Sequence, residues 1–127
     1  MSITASDLLD CAECLNSQNP ISEALLRTSI SRAYYSAYHY CLSWNLTLPA
    51  QGSMPVLKTG VHATLSYCLK NPAKETRLAN RGIESIQKGA LLKRLHDERV
   101  RADYKLDHTI SKAHSLRAVE QAKLIFI

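Results

Sequence analysis

Residues 22 to 45, SEALLRTSISRAYYSAYHYCLSWN, constrain the fold more than any other stretch of this chain. Leu26, Ile30, Ala33, Ala37, Cys41 and Trp44 recur at steps of three and four, the spacing that lines up one buried face of an α-helix over roughly six turns. An apolar stripe that long has to be covered by other helices, so this segment is expected to be the central rod of a bundle. Ser29, Ser31 and Ser36 lie among the alanines and let a neighbouring backbone approach closely. Tyr34, Tyr35, Tyr38 and Tyr40 bring large rings whose hydroxyls need partners if they are buried. Beside the apolar face runs a second stripe of Thr28, Arg32, Tyr35 and His39.

The remaining sequence predicts more helices and no strands. The chain has 127 residues with only four glycines and four prolines, a length suited to one core without disulfides. The expected fold class is all-α: an up-and-down bundle of four to five helices, built as a single domain from 1 to 127. A first helix is predicted over residues 4 to 16, capped by Thr4 or Ser6, with Leu8, Leu9, Ala12 and Leu15 inward. After the central helix, Pro49, Gly52 and Pro55 mark a loop. A third helix is expected from Val56 to Leu69, with Val61, Leu65 and Cys68 inward, and Asn71-Pro72 ends it. Residues 73 to 83 read as either a short helix or a basic linker. A fourth helix, about 83 to 106, would point Ile86, Ala90, Leu91, Leu95, Ala102 and Leu106 to one side. Asp107-His108-Thr109 breaks the pattern, and Ser111 would cap a last helix with Ala113, Leu116, Val119 and Leu124 packed inward.

The amino terminus has no signal-peptide pattern, and no segment approaches a membrane span. A cytoplasmic protein without membrane contact is therefore expected, with Cys11, Cys14, Cys41 and Cys68 reduced. Cys11 and Cys14 form a CxxC, but no second pair completes a zinc site. All four cysteines are read as small buried hydrophobes, and no metal or cofactor is expected. The charge of +5 is uneven. Residues 70 to 105 carry ten basic against five acidic side chains, whereas residues 1 to 45 carry two against four. Concentrated positive charge favours a polyanion such as RNA or a nucleotide phosphate, while a solvated helix face is the alternative reading.

Ser31-Arg32-Ala33-Tyr34-Tyr35-Ser36-Ala37-Tyr38-His39 resembles the first signature of HEPN domains, small helical bundles named for nucleotide binding. Arg99-Val100-Arg101-Ala102-Asp103-Tyr104 resembles their second, an arginine shortly before Ala-Asp-Tyr late in the penultimate long helix. Gly60-Val61-His62 also fits the family. The order and separation of these pieces cover most of the chain. The resemblance implies a bundle that usually forms a homodimer, often with a polar cleft at its axis. It implies action on RNA as a metal-independent endoribonuclease of a toxin-antitoxin or phage-defence system, or else a non-catalytic module that binds a nucleotide, RNA or a partner such as a nucleotidyltransferase or antitoxin.

Nucleolytic members carry an arginine followed after four to six residues by histidine. In RNA cleavage through the 2′-hydroxyl, histidine moves protons and arginine stabilises charge on phosphorus. On that resemblance the catalytic candidates are Arg99, Arg101 and His108, the last completing Arg-x6-His from Arg101. Arg32, Tyr35, His39, Asp103 and Tyr104 are the candidates for holding nucleic acid or nucleotide. Val100 and Ala102 stand where active members have polar residues, which favours the binding reading. An Arg99 to Asp103 ion pair one turn apart would give both groups a structural role. His62, His96 and His114 have no evident partners in the sequence and are expected at the surface.

Overall fold

The computed structural model describes residues 2–53 and 60–127. The expected start of the third helix at Val56, with Pro55 before it, lies outside those residues. Six helices follow in order: α1 (Ala5–Asn16), α2 (Glu23–Asn45), α3 (Val61–Lys70), α4 (Lys74–Leu78), α5 (Gly82–Tyr104) and α6 (Lys112–Ile125). No strand occurs among the described residues. The ambiguous basic stretch is the short α4. Asn80, with φ of 60°, then turns the chain into α5, in the left-handed region that asparagine tolerates better than most residues.

The starts of α1, α2 and α6 are set by side-chain caps. Thr4 and Asp7 form a reciprocal capping box at α1, with N–H to oxygen distances of 3.1 and 2.8 Å. The Ser22 hydroxyl accepts the Leu25 N–H at α2. Ser111 caps α6, and the His114 ring returns the bond to the Ser111 N–H at 3.0 Å. Each cap satisfies amide donors that the first turn would otherwise leave open. His114 therefore has a partner.

The central rod is α2, which packs against α1, α3, α5 and α6. Leu26, Ile30, Ala33, Ala37, Cys41 and Trp44 are all buried, as the periodicity predicts, and so are Ser29, Ser31 and Ser36. Small hydroxyls tie helices together where their backbones come close. Ser29 donates to the Ala12 carbonyl at 2.8 Å, Ser66 to Gly89 at 3.1 Å and Ser85 to Leu69 at 2.6 Å. A side chain this short can pair a buried polar group across an interface without holding the helices apart.

Several inward assignments fail. On α5 the buried set is Gly82, Ser85, Lys88, Gly89, Leu92, Leu95 and Ala102, while Ile86, and Leu106 just past the helix end, are exposed. On α6 it is Ser115, Ala118, Val119, Ala122 and Ile125, with Ala113, Leu116 and Leu124 outside. Val61 is exposed too. Of the cysteines only Cys41 is buried; Cys11 and Cys14 are exposed on α1 and Cys68 is half-buried. Polar residues take the inward places on α5 because their partners come from other helices. The Lys88 ammonium donates to the carbonyls of Ile125 at 2.7 Å and Ile127 at 3.2 Å and lies 3.6 Å from Glu84 Oε1. It also sits 5.2 Å from the Trp44 ring centroid, and the Arg81 guanidinium lies 4.9 Å from the same ring.

Gly89 marks where α5 crosses α3. A Cβ there would fall 2.7 Å from Lys70 Cγ and 2.9 Å from the Lys70 backbone nitrogen. Gly89→Ala gains about 1 kcal/mol of helix propensity. The forced separation of two helices costs about 1–3 kcal/mol, so a net loss is expected. Urea denaturation should show a lower midpoint, and a higher one would contradict this crossing.

Candidate functional site

The α2 residues that follow Ile30 form one wall of a polar and aromatic cluster, the amino-terminal turn of α3 a second, and the carboxy-terminal half of α5 a third. Tyr34 is fully buried at its centre. Its ring centroid lies 5.3 Å from Tyr35, 6.2 Å from Tyr38, 5.4 Å from His62 and 5.6 Å from His96. The rings of His62 and His96 stack with centroids 5.8 Å apart, and Tyr38 lies 4.6 Å from His62. Two histidines expected at the surface are thus half-buried against one another.

Arg99 lies over these rings. Its guanidinium carbon is 5.9 Å from the Tyr34 centroid, 5.2 Å from Tyr35 and 5.4 Å from Tyr104. Its Nε donates to Asp103 Oδ2 at 3.0 Å, the intrahelical pair that the sequence suggested, and Ser31 donates to the same oxygen at 3.3 Å. Arg32 extends the positive charge outward, 5.8 Å from the Tyr35 centroid. His39 is exposed beyond Tyr38, 5.3 Å away, and Tyr104 is exposed at the end of α5. The structure therefore brings together Arg32, Tyr35, His39, Arg99, Asp103 and Tyr104.

It does not bring Arg101 or His108 to them. Two residues along a helix is a rotation of about 200°, which turns Arg101 to the side of α5 opposite Arg99. There Arg101 lies 3.8 Å from Glu98. His108 is exposed in the turn after α5; its N–H donates to the Lys105 carbonyl and its own carbonyl accepts from Arg27. Among the described residues, no hydrogen bond, ion pair or ring contact joins either side chain to the cluster.

The protonation states follow from the packing. Burial is the largest influence on His62 and lowers its pKa, with His96, Arg99 and His39 adding to the effect. Burial also lowers His96, which Asp97 partly offsets and Lys93 and Arg99 reinforce. Both rings are neutral at pH 7. Burial raises the Tyr34 phenol well above its ordinary value, so it keeps its proton. That hydroxyl bonds to His62 Nδ1. A buried phenol with this one side-chain partner donates to it, which leaves the His62 proton on Nε2.

These shifts make stability depend on pH. Both histidines bind protons less readily folded than unfolded, so the unfolded chain gains protons first on acidification. The stabilisation is complete above the ordinary histidine value of 6.5 and is lost as pH falls from there toward the lowered folded values. Thermal melts followed by circular dichroism should give a lower midpoint at pH 5.5 than at pH 7.5. The drop should shrink in a His62→Gln, His96→Gln double variant, and an equal drop would assign it to other groups.

Among the described residues no group of three or more His, Cys, Asp and Glu could hold a metal ion, and no helix is long and apolar enough to cross a membrane. His96 could have been found by following the Arg99 stripe toward the start of α5 instead of its end, whereas His62 lies on α3 and reaches the cluster only through the packing of the two helices. His96, Arg99 and Asp103 fall at i, i+3 and i+7, one face of the helix. Neither a family model, a curated protein nor a solved structure matches the chain.

Proposed function

We propose that this chain is a HEPN-like protein that acts on RNA as a metal-independent endoribonuclease, with His62 and His96 in the proton-handling role that the family resemblance gives to His108. The observation that carries the reading is a pair of neutral, stacked imidazoles beside a half-buried guanidinium. A neutral imidazole accepts the 2′-hydroxyl proton, and a guanidinium steadies charge on the phosphoryl oxygens. His96 serves as the base. The 2′-oxygen bonds to phosphorus, the bond from phosphorus to the 5′-oxygen breaks, and the proton on His96 passes to that leaving oxygen. His62, its Nε2–H set by Tyr34, donates a hydrogen bond to the phosphoryl group. Arg32 meets a neighbouring phosphate, and Tyr35 and Tyr104 offer rings on which bases stack.

The test is incubation of the purified chain with labelled RNA in EDTA, with products analysed for a 2′,3′-cyclic phosphate. His96→Ala should reduce cleavage by about 100-fold or more while the protein stays folded. Intact RNA in every condition would end the catalytic reading.

One observation favours the second reading, a non-catalytic module that binds RNA, a nucleotide, or a nucleotidyltransferase or antitoxin partner. Asp103 already neutralises Arg99 at 3.0 Å, which weakens its pull on a phosphate. Calorimetry with short RNAs and with mononucleotides separates the two: heat of binding without cleavage supports the module.

A further inference from the structure

We infer that the cavity on the far side of Tyr38 from the histidine pair is a base-specificity pocket, which takes an adenine of the strand whose phosphate lies at Arg99. The inference rests on the proposed action on RNA and adds to it which base is read, and by which residues. The cavity holds about 340 Å³, and its walls include Tyr38, Leu42 and Asn45 of α2, Gln51 in the segment after α2, and Val61 and Thr64 of α3. It adjoins the catalytic candidates: the Tyr38 ring lies 4.6 Å from His62, and Val61 directly precedes that histidine. No charged side chain lines it among the described residues. Apolar walls with a few polar groups suit a flat neutral ring and not a phosphate.

The polar groups present are hydrogen-bond acceptors and amides. Asn45, the last residue of α2, is 8% exposed, and its Oδ1 is shut off from solvent with no hydrogen-bond partner. An acceptor left in that state costs stability, and a ligand hydrogen that pairs with it recovers the loss. Asparagine χ2 lies in a broad well, so a modest rotation turns the oxygen to the cavity, and having no partner it gives none up. The Thr64 hydroxyl already donates to the Gly60 carbonyl at 3.0 Å, so toward the cavity it accepts. Two acceptors match the two hydrogens of an exocyclic amine. Gln51 is held in place because its neighbour Gly52 lies flat on the end of α3, where a Cβ would collide with the carbonyls of Cys68 and Asn71. Its carboxamide offers the donor and acceptor side by side that pair with adenine N7 and N6. Uracil has no such amine and leaves Asn45 as it is.

The test is fluorescence anisotropy with labelled 2′-O-methyl tetranucleotides, which lack the attacking hydroxyl and stay whole. Oligoadenylate should bind about tenfold or more tighter than oligouridylate. Asn45→Leu, of similar size, should bring the two to within about threefold while circular dichroism shows the chain folded. Thr64→Val, at a half-buried position, should lower the ratio independently. Arg99→Ala should weaken both probes alike and leave their ratio standing, which separates the base pocket from the phosphate contact. Equal binding of the two probes by the unaltered chain overturns the pocket and leaves the reading of Arg99 and the histidines intact. A preference for adenine indifferent to both Asn45→Leu and Thr64→Val overturns it too, because the base is then read elsewhere. Failure to bind either probe removes the pocket together with the action on RNA.

Discussion

Arg27→Ala is expected to lower the thermal midpoint by about 10 °C, corresponding to about 3–4 kcal/mol in a chain of this size. The Arg27 side chain is only 11% exposed. One of its nitrogens donates to the carbonyls of Ala102 at 2.8 Å, Lys105 at 3.3 Å and Arg101 at 3.4 Å, and the other donates to the His108 carbonyl. It therefore closes the carboxy-terminal end of α5, whose last carbonyls have no helical partners. Glu23, one turn earlier on α2, accepts the Ile110 N–H at 2.7 Å and completes the fastening of the turn between α5 and α6. Alanine removes a charged donor from several acceptors at once and leaves part of them shielded from water. Arg27→Lys should recover only a fraction, since a compact ammonium cannot span the same fork. Hydrogen exchange at residues 105 to 111 should quicken in both variants. An unchanged melting temperature in Arg27→Ala would mean that water replaces the guanidinium at little cost.

Arg99→Ala should cost about 2 kcal/mol and, on the proposed function, abolish action on RNA by about 100-fold or more. The stability loss arises because Asp103, one turn away, keeps a carboxylate facing the tyrosines with only Ser31 to meet it. Removing that carboxylate as well, in Arg99→Ala, Asp103→Ala, should restore more than half of the lost stability. It should restore none of the RNA phenotype. Urea melts and a cleavage or binding assay on the three variants separate a structural guanidinium from one that meets phosphate. Recovery of both properties together in the double variant would reduce the pair to a helix fastener.

Much of the fold is legible in the sequence where burial follows periodicity. The α2 face from Leu26 to Trp44 is uniformly small or apolar, so its stripe can be read without knowing what covers it. The faces of α5 and α6 cannot be read that way. Lys88, Ser85 and Ser115 are buried because carbonyls or an amide on other helices receive their protons, and those acceptors are invisible to a pattern along one helix. Ile86 and Leu124 lie outside despite their hydrophobicity. The candidate site divides likewise. Arg99 with Asp103, and Tyr35 with Arg32, are pairs local to one helix and can be found from spacing. The meeting of His62 with His96 depends on how α3 crosses α5, a relation between segments more than thirty positions apart.

The chain has one tryptophan, Trp44, 9% exposed and flanked by the cations of Arg81 and Lys88. Its indole therefore serves as a built-in optical gauge of how the first half of α5 sits on α2. Excitation at the indole band should give emission shielded from acrylamide while that seam is shut. Loss of the shielding would report its parting without any added dye, even while the rest of the bundle stays wound.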